Sequence, residues 1–213
     1  MAEWEYGGAY RGLDMTGEIP LPNGSLVQVC DWLNGMPAFM RAADTVFVDP
    51  PWNIGNVKSF YTKAAKEHII LDFLEFSKVL FQRIDEISPR HLFIEMGKQY
   101  LGWYLESCRS RYRRVTFYNS TYFQKSTNKC YVIHASGECG RRYKTLEDLD
   151  EAKIIEWLCA NHDYKCIGDL CMGRGLVGLH AYRNKKRFVG TELNHKRLAV
   201  LVKRIMIEES KRK

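Results

Sequence analysis

The chain has 213 residues, 46% hydrophobic and 27% charged, which is enough to bury one sizeable core and ordinary for a folded globular protein. A net charge of +7 and a pI near 9.0 suit a polyanionic partner. No apolar run approaches a membrane span, and the acidic start Met1-Ala2-Glu3-Trp4-Glu5 is unlike a secretory signal, so a cytoplasmic protein with no membrane role is expected.

Ser25-Leu26-Val27-Gln28-Val29-Cys30 reads as a strand ending at Asp31, followed by a short helix from Trp32 to Arg41. Thr45-Val46-Phe47-Val48 is β-branched and apolar, the pattern of a buried strand whose carboxyl end delivers Asp49-Pro50-Pro51-Trp52 to a crevice. Asn53 to Glu67 is polar and too long for a simple turn; it reads as a substrate-gripping loop, disordered without nucleic acid. Leu71, Leu74, Val79, Leu80 and Ile84 recur at helical spacing, with Pro89 as the stop. His91 to Met96 is strand-like and Tyr100 to Arg109 helical.

Val115 to Tyr118 and Lys129 to His134 read as two antiparallel strands joined through Asn119 to Asn128. Ser136 to Lys144 turns polar, with Gly137 and Gly140, as an internal linker does. An amphipathic helix from Leu149 to Cys159 then leads to the strand Cys166-Ile167-Gly168-Asp169 and a glycine-bearing turn that opens another helix, with Gly178 as a packing residue. Arg187-Phe188-Val189-Gly190-Thr191 is a strand ending at Glu192, and Asn194 caps a last helix. The alternation predicts an α/β fold: a mostly parallel twisted sheet with an antiparallel hairpin at one edge and helices on both faces.

Two segments carry chemistry. In Asp49-Pro50-Pro51-Trp52 an acid, two prolines of fixed φ and an aromatic plate follow a strand, which suits the capture of a flat, amine-bearing ring; a proline-marked strand end with a core tryptophan fits the tetrapeptide equally well. Stacking a base on an aromatic ring contributes about 1 to 3 kcal/mol, comparable to the cost of flipping it from a duplex. In Asp169-Leu170-Cys171-Met172-Gly173-Arg174-Gly175, glycines at a strand-to-helix turn admit a ligand close to the backbone, and Glu192 lies where an acid takes ribose hydroxyls. A nicotinamide cofactor and S-adenosylmethionine both suit such a unit, although no hydride-transfer site accompanies it.

Taken together, the two segments resemble the catalytic [DNS]-P-P-[YFW] motif and the D-P-F-x-G-x-G and I-G-x-E elements of amino-methyltransferases. With the catalytic motif first, the order resembles the permuted β-class of DNA N6-adenine methyltransferases of bacteria and their phages, over about residues 25 to 205. The resemblance implies a Rossmann-like methyltransferase fold, S-adenosylmethionine as cofactor, DNA as partner and the setting of a bacterial or phage-infected cell, as in restriction-modification. It makes Asp49, Pro50, Pro51 and Trp52 catalytic, with Asp49 and the Pro50 carbonyl accepting the amine hydrogens. Asp31, Asp49, Asp169, Cys171, Gly173, Gly175, Glu192 and Leu193 become cofactor contacts. It divides the chain into a catalytic half (25–135), a short linker (136–150) where such enzymes carry a target-recognition region, and a cofactor half (151–207). The sequence departs from the pattern in Leu170-Cys171 for Pro-Phe, Arg174 for a small residue and Trp52 for the commoner tyrosine. Asp-Pro-Pro-Trp also marks RNA adenosine methyltransferases, so RNA stays open as substrate, and a homodimer or partner subunit stays open as the source of target recognition.

Basic residues interleaved with aromatics are the candidates for phosphate contact: Lys58, Lys63 and Lys66 beside Tyr61, which is placed to fill a vacated base position, then Arg109 and Arg111, and Arg141 with Arg142. Lys185-Lys186-Arg187 reads as a solvated helix end. The seven cysteines are odd in number and lack C-x-x-C pairs, which suits free, mostly buried thiols. His162, Cys166 and Cys171 flank a candidate strand without a second ligand pair, so no metal is expected.

Overall fold

The computed structural model describes residues 3–67, 72–122, 125–138 and 142–212. Its strands are β1 (Glu18–Leu21), β2 (Ser25–Val29), β3 (Thr45–Val48), β4 (His91–Met96), β5 (Arg114–Tyr122), β6 (Lys125–Ser136), β7 (Cys166–Asp169) and β8 (Arg187–Glu192). They form one sheet in the order β1-β2-β8-β7-β3-β4-β6-β5. The central run from β2 to β4 is parallel, while β6 and β5 continue it antiparallel. β1 adds an antiparallel edge opposite; its Pro20, which cannot donate to a ladder, is tolerated at an edge.

β3, β4 and β7 are buried along their whole length, so they read as continuous rather than alternating apolar runs. Helices α1 (Ile54–Lys63), α2 (Phe73–Ile87) and α3 (Leu101–Arg109) cover one face, with Val57, Phe76, Leu80 and Tyr104 in that core. α4 (Glu151–Asn161), α5 (Leu176–Arg183) and α6 (His195–Ser210) cover the other through Ile154, Leu158, Leu179 and Leu201. Side-chain caps start most of these helices: Asn53 accepts from the Asn56 amide, Asp72 from Glu75, Asp150 from Ala152 and Asn194 from Lys196. α2 ends at Ser88 in the left-handed conformation, one residue before Pro89.

Three expectations change. Asn53 to Glu67 is not a disordered loop: Ile54, Val57 and Tyr61 share a helical face, Val57 and Tyr61 are buried, and α1 packs on the sheet. The segment after Asp31 is a turn, and only Ala38–Ala42 forms a single 3-10 helix. Asn119 to Asn128 is largely strand, because β5 and β6 run on past β4 as a long hairpin.

Three buried histidines sit where the sheet meets the linker. His134 stacks on Phe93 with ring centroids 4.2 Å apart, and His91 lies within 3.3 Å of it. His162 is held by Thr45 Oγ1 at 3.4 Å and the Tyr143 hydroxyl at 3.1 Å. Burial pushes His134 down to about 3 and His162 to about 4, with the neighbouring histidine adding to each shift.

Candidate active site

The two chemical segments meet because β3 lies beside β7. From β7 the chain proceeds to β8 on one side, and from β3 to β4 on the other, so a crevice opens between the diverging connections at their carboxyl ends. A cavity of about 340 Å³ occupies it, within the range of small-molecule sites. Asp49, Pro50, Pro51 and Trp52 line one part, and Asp31, Cys171, Glu192 and Leu193 another. Trp32, Leu33, Phe76 and Leu170 make an apolar wall, and Asn56, Val57, Phe60 and Tyr61 bring α1 across as a further side.

Asp49 is half-buried at the end of β3, and its Oδ1 accepts the Trp52 indole N–H at 3.0 Å. Desolvation raises its pKa to about 6 against the opposing effects of Trp52 and of Arg197. Trp52 is half-buried rather than a free plate; its ring packs on Gly97, where a β-carbon would come within 2.9 Å, and tilts against Tyr122 at 5.3 Å. The guanidinium of Arg197, from α6, lines the cavity over the Phe60 ring at 5.1 Å and has no acidic partner within 4 Å among the described residues. Neither Tyr122 nor Arg197 stood out in the sequence.

The glycine turn is built from within. Asp169 is buried, its Oδ1 accepting the Cys171 amide at 2.9 Å, and burial holds its pKa well above the usual carboxylate range. Gly173 takes φ +56 and Gly175 φ +78, and a β-carbon on Gly175 would overlap Leu201 of α6. Asp169, Gly173 and Gly175 shape the turn beside Cys171 and Glu192, which line the cavity. Glu192 Oε2 accepts the Gly173 amide at 2.6 Å and Oε1 the Asn194 amide at 3.0 Å, leaving each oxygen a further lone pair toward the cavity. Asp31 accepts from the Leu33 amide and Tyr61 hydroxyl on Oδ1 and from Asn34 on Oδ2.

Tyr61 is thus a buried wall residue, held to Asp31 at 2.7 Å, and not a residue free to fill a vacated base position. Lys58 is exposed on α1 and Lys66 is exposed beyond its end, while Lys63 lies over the Phe60 ring. Arg109 and Arg111 lie away from the site. Arg114 stands in register with Ser136, and Ser136 with His91, so this cluster marks the amino end of β4, roughly 17 Å along the strand from Met96. Arg109 pairs with Glu106, and Arg111 forms a two-pronged pair with Asp85. Arg142 pairs with Glu147 over the Tyr118 ring, and Arg141 lies outside the described residues. On the cavity side, the hairpin beyond Met96 instead presents the exposed Lys125 and Lys129. The cysteines Cys30, Cys108, Cys130, Cys159, Cys166 and Cys171 are free, and Cys139 lies outside the described residues.

No family model matches the sequence, and no curated protein does. Among solved structures the fold has clear counterparts, and it is the Rossmann-like fold of DNA methyltransferases. The M1.HpyAVI–SAM complex superposes with a TM-score of 0.59 at 14% identity, over 84% of this chain and 98% of that one. TTHA0409 of Thermus thermophilus, assigned as a DNA modification methylase and complexed with S-adenosyl-L-methionine, gives 0.59 at 15% identity, over 85% and 93%. The cytosine-N4-specific PvuII DNA methyltransferase gives 0.58 at 11%, over 88% and 90%. Among the described residues, no helix is long and apolar enough to cross a membrane.

Proposed function

We propose that this protein is an S-adenosylmethionine-dependent methyltransferase acting on an exocyclic base amine, N6 of adenine in DNA. The observation that carries the reading is one cavity at the β7/β3 switch point, which joins Asp-Pro-Pro-Trp to the wall formed by Asp31, Cys171, Glu192 and Leu193. The residues fit the cofactor: Trp32, Leu33, Phe76 and Leu170 offer an apolar sleeve for a purine, and the remaining lone pairs of Glu192 suit ribose hydroxyls. Arg197 offers a cation for a carboxylate. S-adenosylmethionine, when bound, supplies a methyl group on positively charged sulfur.

The chain's own residues prepare the amine. An N6 lone pair is delocalised into the ring and is a poor nucleophile. Asp49 and the Pro50 carbonyl accept its hydrogens and return electron density to nitrogen, while Trp52 and Tyr122 give the ring an aromatic wall. Asp49 holds one oxygen on Trp52 and keeps the other for the amine. The Asp-Pro-Pro-Trp motif ahead of the glycine turn supports residues 25–135 as the catalytic half and 151–207 as the cofactor half. Residues 136–150 stand in place of a recognition region.

The test is methylation of a mixed DNA and RNA pool with label in the donor methyl group, followed by mass spectrometry of the nucleosides. The reading expects N6-methyladenine in DNA. Label confined to RNA or to cytosine N4 would move the substrate assignment. No label, with cofactor still bound by calorimetry, would leave a non-catalytic partner subunit.

A further inference from the structure

Asp49 has two acidic neighbours for which methyl transfer has no use. Val48 lies beside Ile94 in the parallel β3–β4 pair, so Asp49 and Glu95 follow at adjacent positions. Glu151 reaches the same place from the first turn of α4. One carboxylate oxygen from each of the three lies within 4.8 Å of the other two. Glu95 is fully buried, and among the described residues no nitrogen or oxygen donor meets its oxygens; only the Cys130 thiol, a weak donor, faces its carboxylate. A buried carboxylate is retained when something compensates its charge, by pairing or by coordination. No lysine or arginine pairs with Glu95 or Glu151 among the described residues.

We propose that Asp49, Glu95 and Glu151 form a binding site for one hard divalent cation of the size of Ca²⁺ or Mn²⁺. The donor set is entirely oxygen, which selects hard cations over zinc or copper. Calcium ligands at about 2.3 to 2.6 Å on opposite sides of the ion stand about 5 Å apart. The spacing of 4.8 Å or less fits that span. The three ligands come from two adjacent strands and a helix terminus, so their positions are set by rigid elements. Asp49 also lines the cavity, which gives the ion a route in and leaves room for water to complete its shell, and ion and amine compete for the Asp49 oxygen that Trp52 leaves open. Without a cation, burial holds Glu151 at about 8 and Glu95 well above the usual range, and protons take the place of the ion.

The experiment is a titration of the full chain with Mn²⁺ at about pH 7.5, followed by the paramagnetic resonance of the free ion, with Ca²⁺ as competitor. One saturable site per chain that Ca²⁺ empties is expected, weakened about ten-fold or more in Glu95→Gln and, separately, in Glu151→Gln. Thermal unfolding in chelator checks that both variants fold; Glu151 is only half-buried, so its variant keeps the test open should Glu95→Gln fail. No saturable binding of either ion up to about 10 mM would overturn the proposal. So would wild-type affinity in the folded variants. Both outcomes leave three carboxyls sharing protons. The readout needs no turnover, so it decides the cation site whether or not the protein methylates nucleic acid.

Discussion

On the proposed function, replacing Asp49 by alanine should separate amine capture from cofactor binding. Asp49 Oδ1 is engaged by Trp52 at 3.0 Å, so the variant loses the one oxygen left for the amine and frees an indole N–H. A hydrogen bond to a charged group contributes about 1.5 to 3 kcal/mol, and removing one preorganised electrostatic partner from a catalytic site lowers kcat by about 10² to 10³. Turnover should therefore fall by at least about a hundred-fold, and to undetectable levels where both effects act. Stability moves little. Without a cation Glu95 and Glu151 hold their protons near neutral pH, so the variant relieves only the desolvation of Asp49 itself, which offsets the lost Trp52 bond of about 1 kcal/mol, and the unfolding midpoint should stay near that of the parent. The assay is labelled methyl transfer in chelator, beside calorimetric titration of S-adenosylmethionine, whose affinity should hold within about three-fold because Asp31 and Glu192 are untouched. Turnover within ten-fold of the parent would refute the role of Asp49, and loss of cofactor binding with it would refute the division of the cavity.

Gly175→Ala should cost about 2 to 5 kcal/mol in urea unfolding, since it strains a φ of +78 and drives a β-carbon into Leu201. Tyr61→Phe removes the donor to Asp31 at 2.7 Å and should lower stability by about 1 to 2 kcal/mol. His134 and His162 have folded pKa values below their ordinary 6.5, so the unfolded chain binds protons first: their contribution is complete above about pH 6.5 and is lost as pH falls toward about 4 for His162 and about 3 for His134. Because the raised carboxyls of Asp49, Glu95, Glu151 and Asp169 gain stability over the same range, the effect is read as a difference: the unfolding free energy of the parent minus that of His162→Phe should decline by on the order of 1 kcal/mol per pH unit from about pH 6.5 to 4.5, and a flat difference would contradict it. Lys125→Ala with Lys129→Ala should reduce the slope of log affinity against log salt by about 2 for DNA, whereas Arg109→Ala should leave it unchanged.

The central strands were legible because burial on both faces writes them as unbroken apolar runs, and the two motifs were legible because each sits at a strand's carboxyl end. α1 was misread although Ile54, Val57 and Tyr61 already stand at helical spacing; the charges of Lys58 and Lys63 within it and of Lys66 just beyond masked a narrow apolar stripe. The arginine cluster at 109–114 illustrates a different limit. Interleaved aromatics mark a nucleic-acid surface only at the correct end of the sheet, and that end is decided by the register of Arg114 with Ser136 and His91. Glu95 was invisible for the converse reason, since one acid inside His91-Leu92-Phe93-Ile94-Glu95-Met96 leaves the strand pattern intact.

Trp52 shows how a residue picked out by its type can be held differently from what that type suggests. A free aromatic plate was the expectation, yet the ring is braced on Gly97 and Tyr122 and its N–H is spent on Asp49. That bond opposes the desolvation that raises Asp49, and so favours the ionised acceptor an amine requires. It also orients the carboxylate, with one oxygen tied back and the other left for the cavity. Phenylalanine at this position keeps the stacking surface and loses both effects. Comparing Trp52→Phe with Trp52→Ala therefore separates orientation of the acid from contact with the base. If orientation dominates, phenylalanine loses most of what alanine loses in kcat and little of what it loses in KM. Full kcat in Trp52→Phe would return the residue to a stacking plate alone.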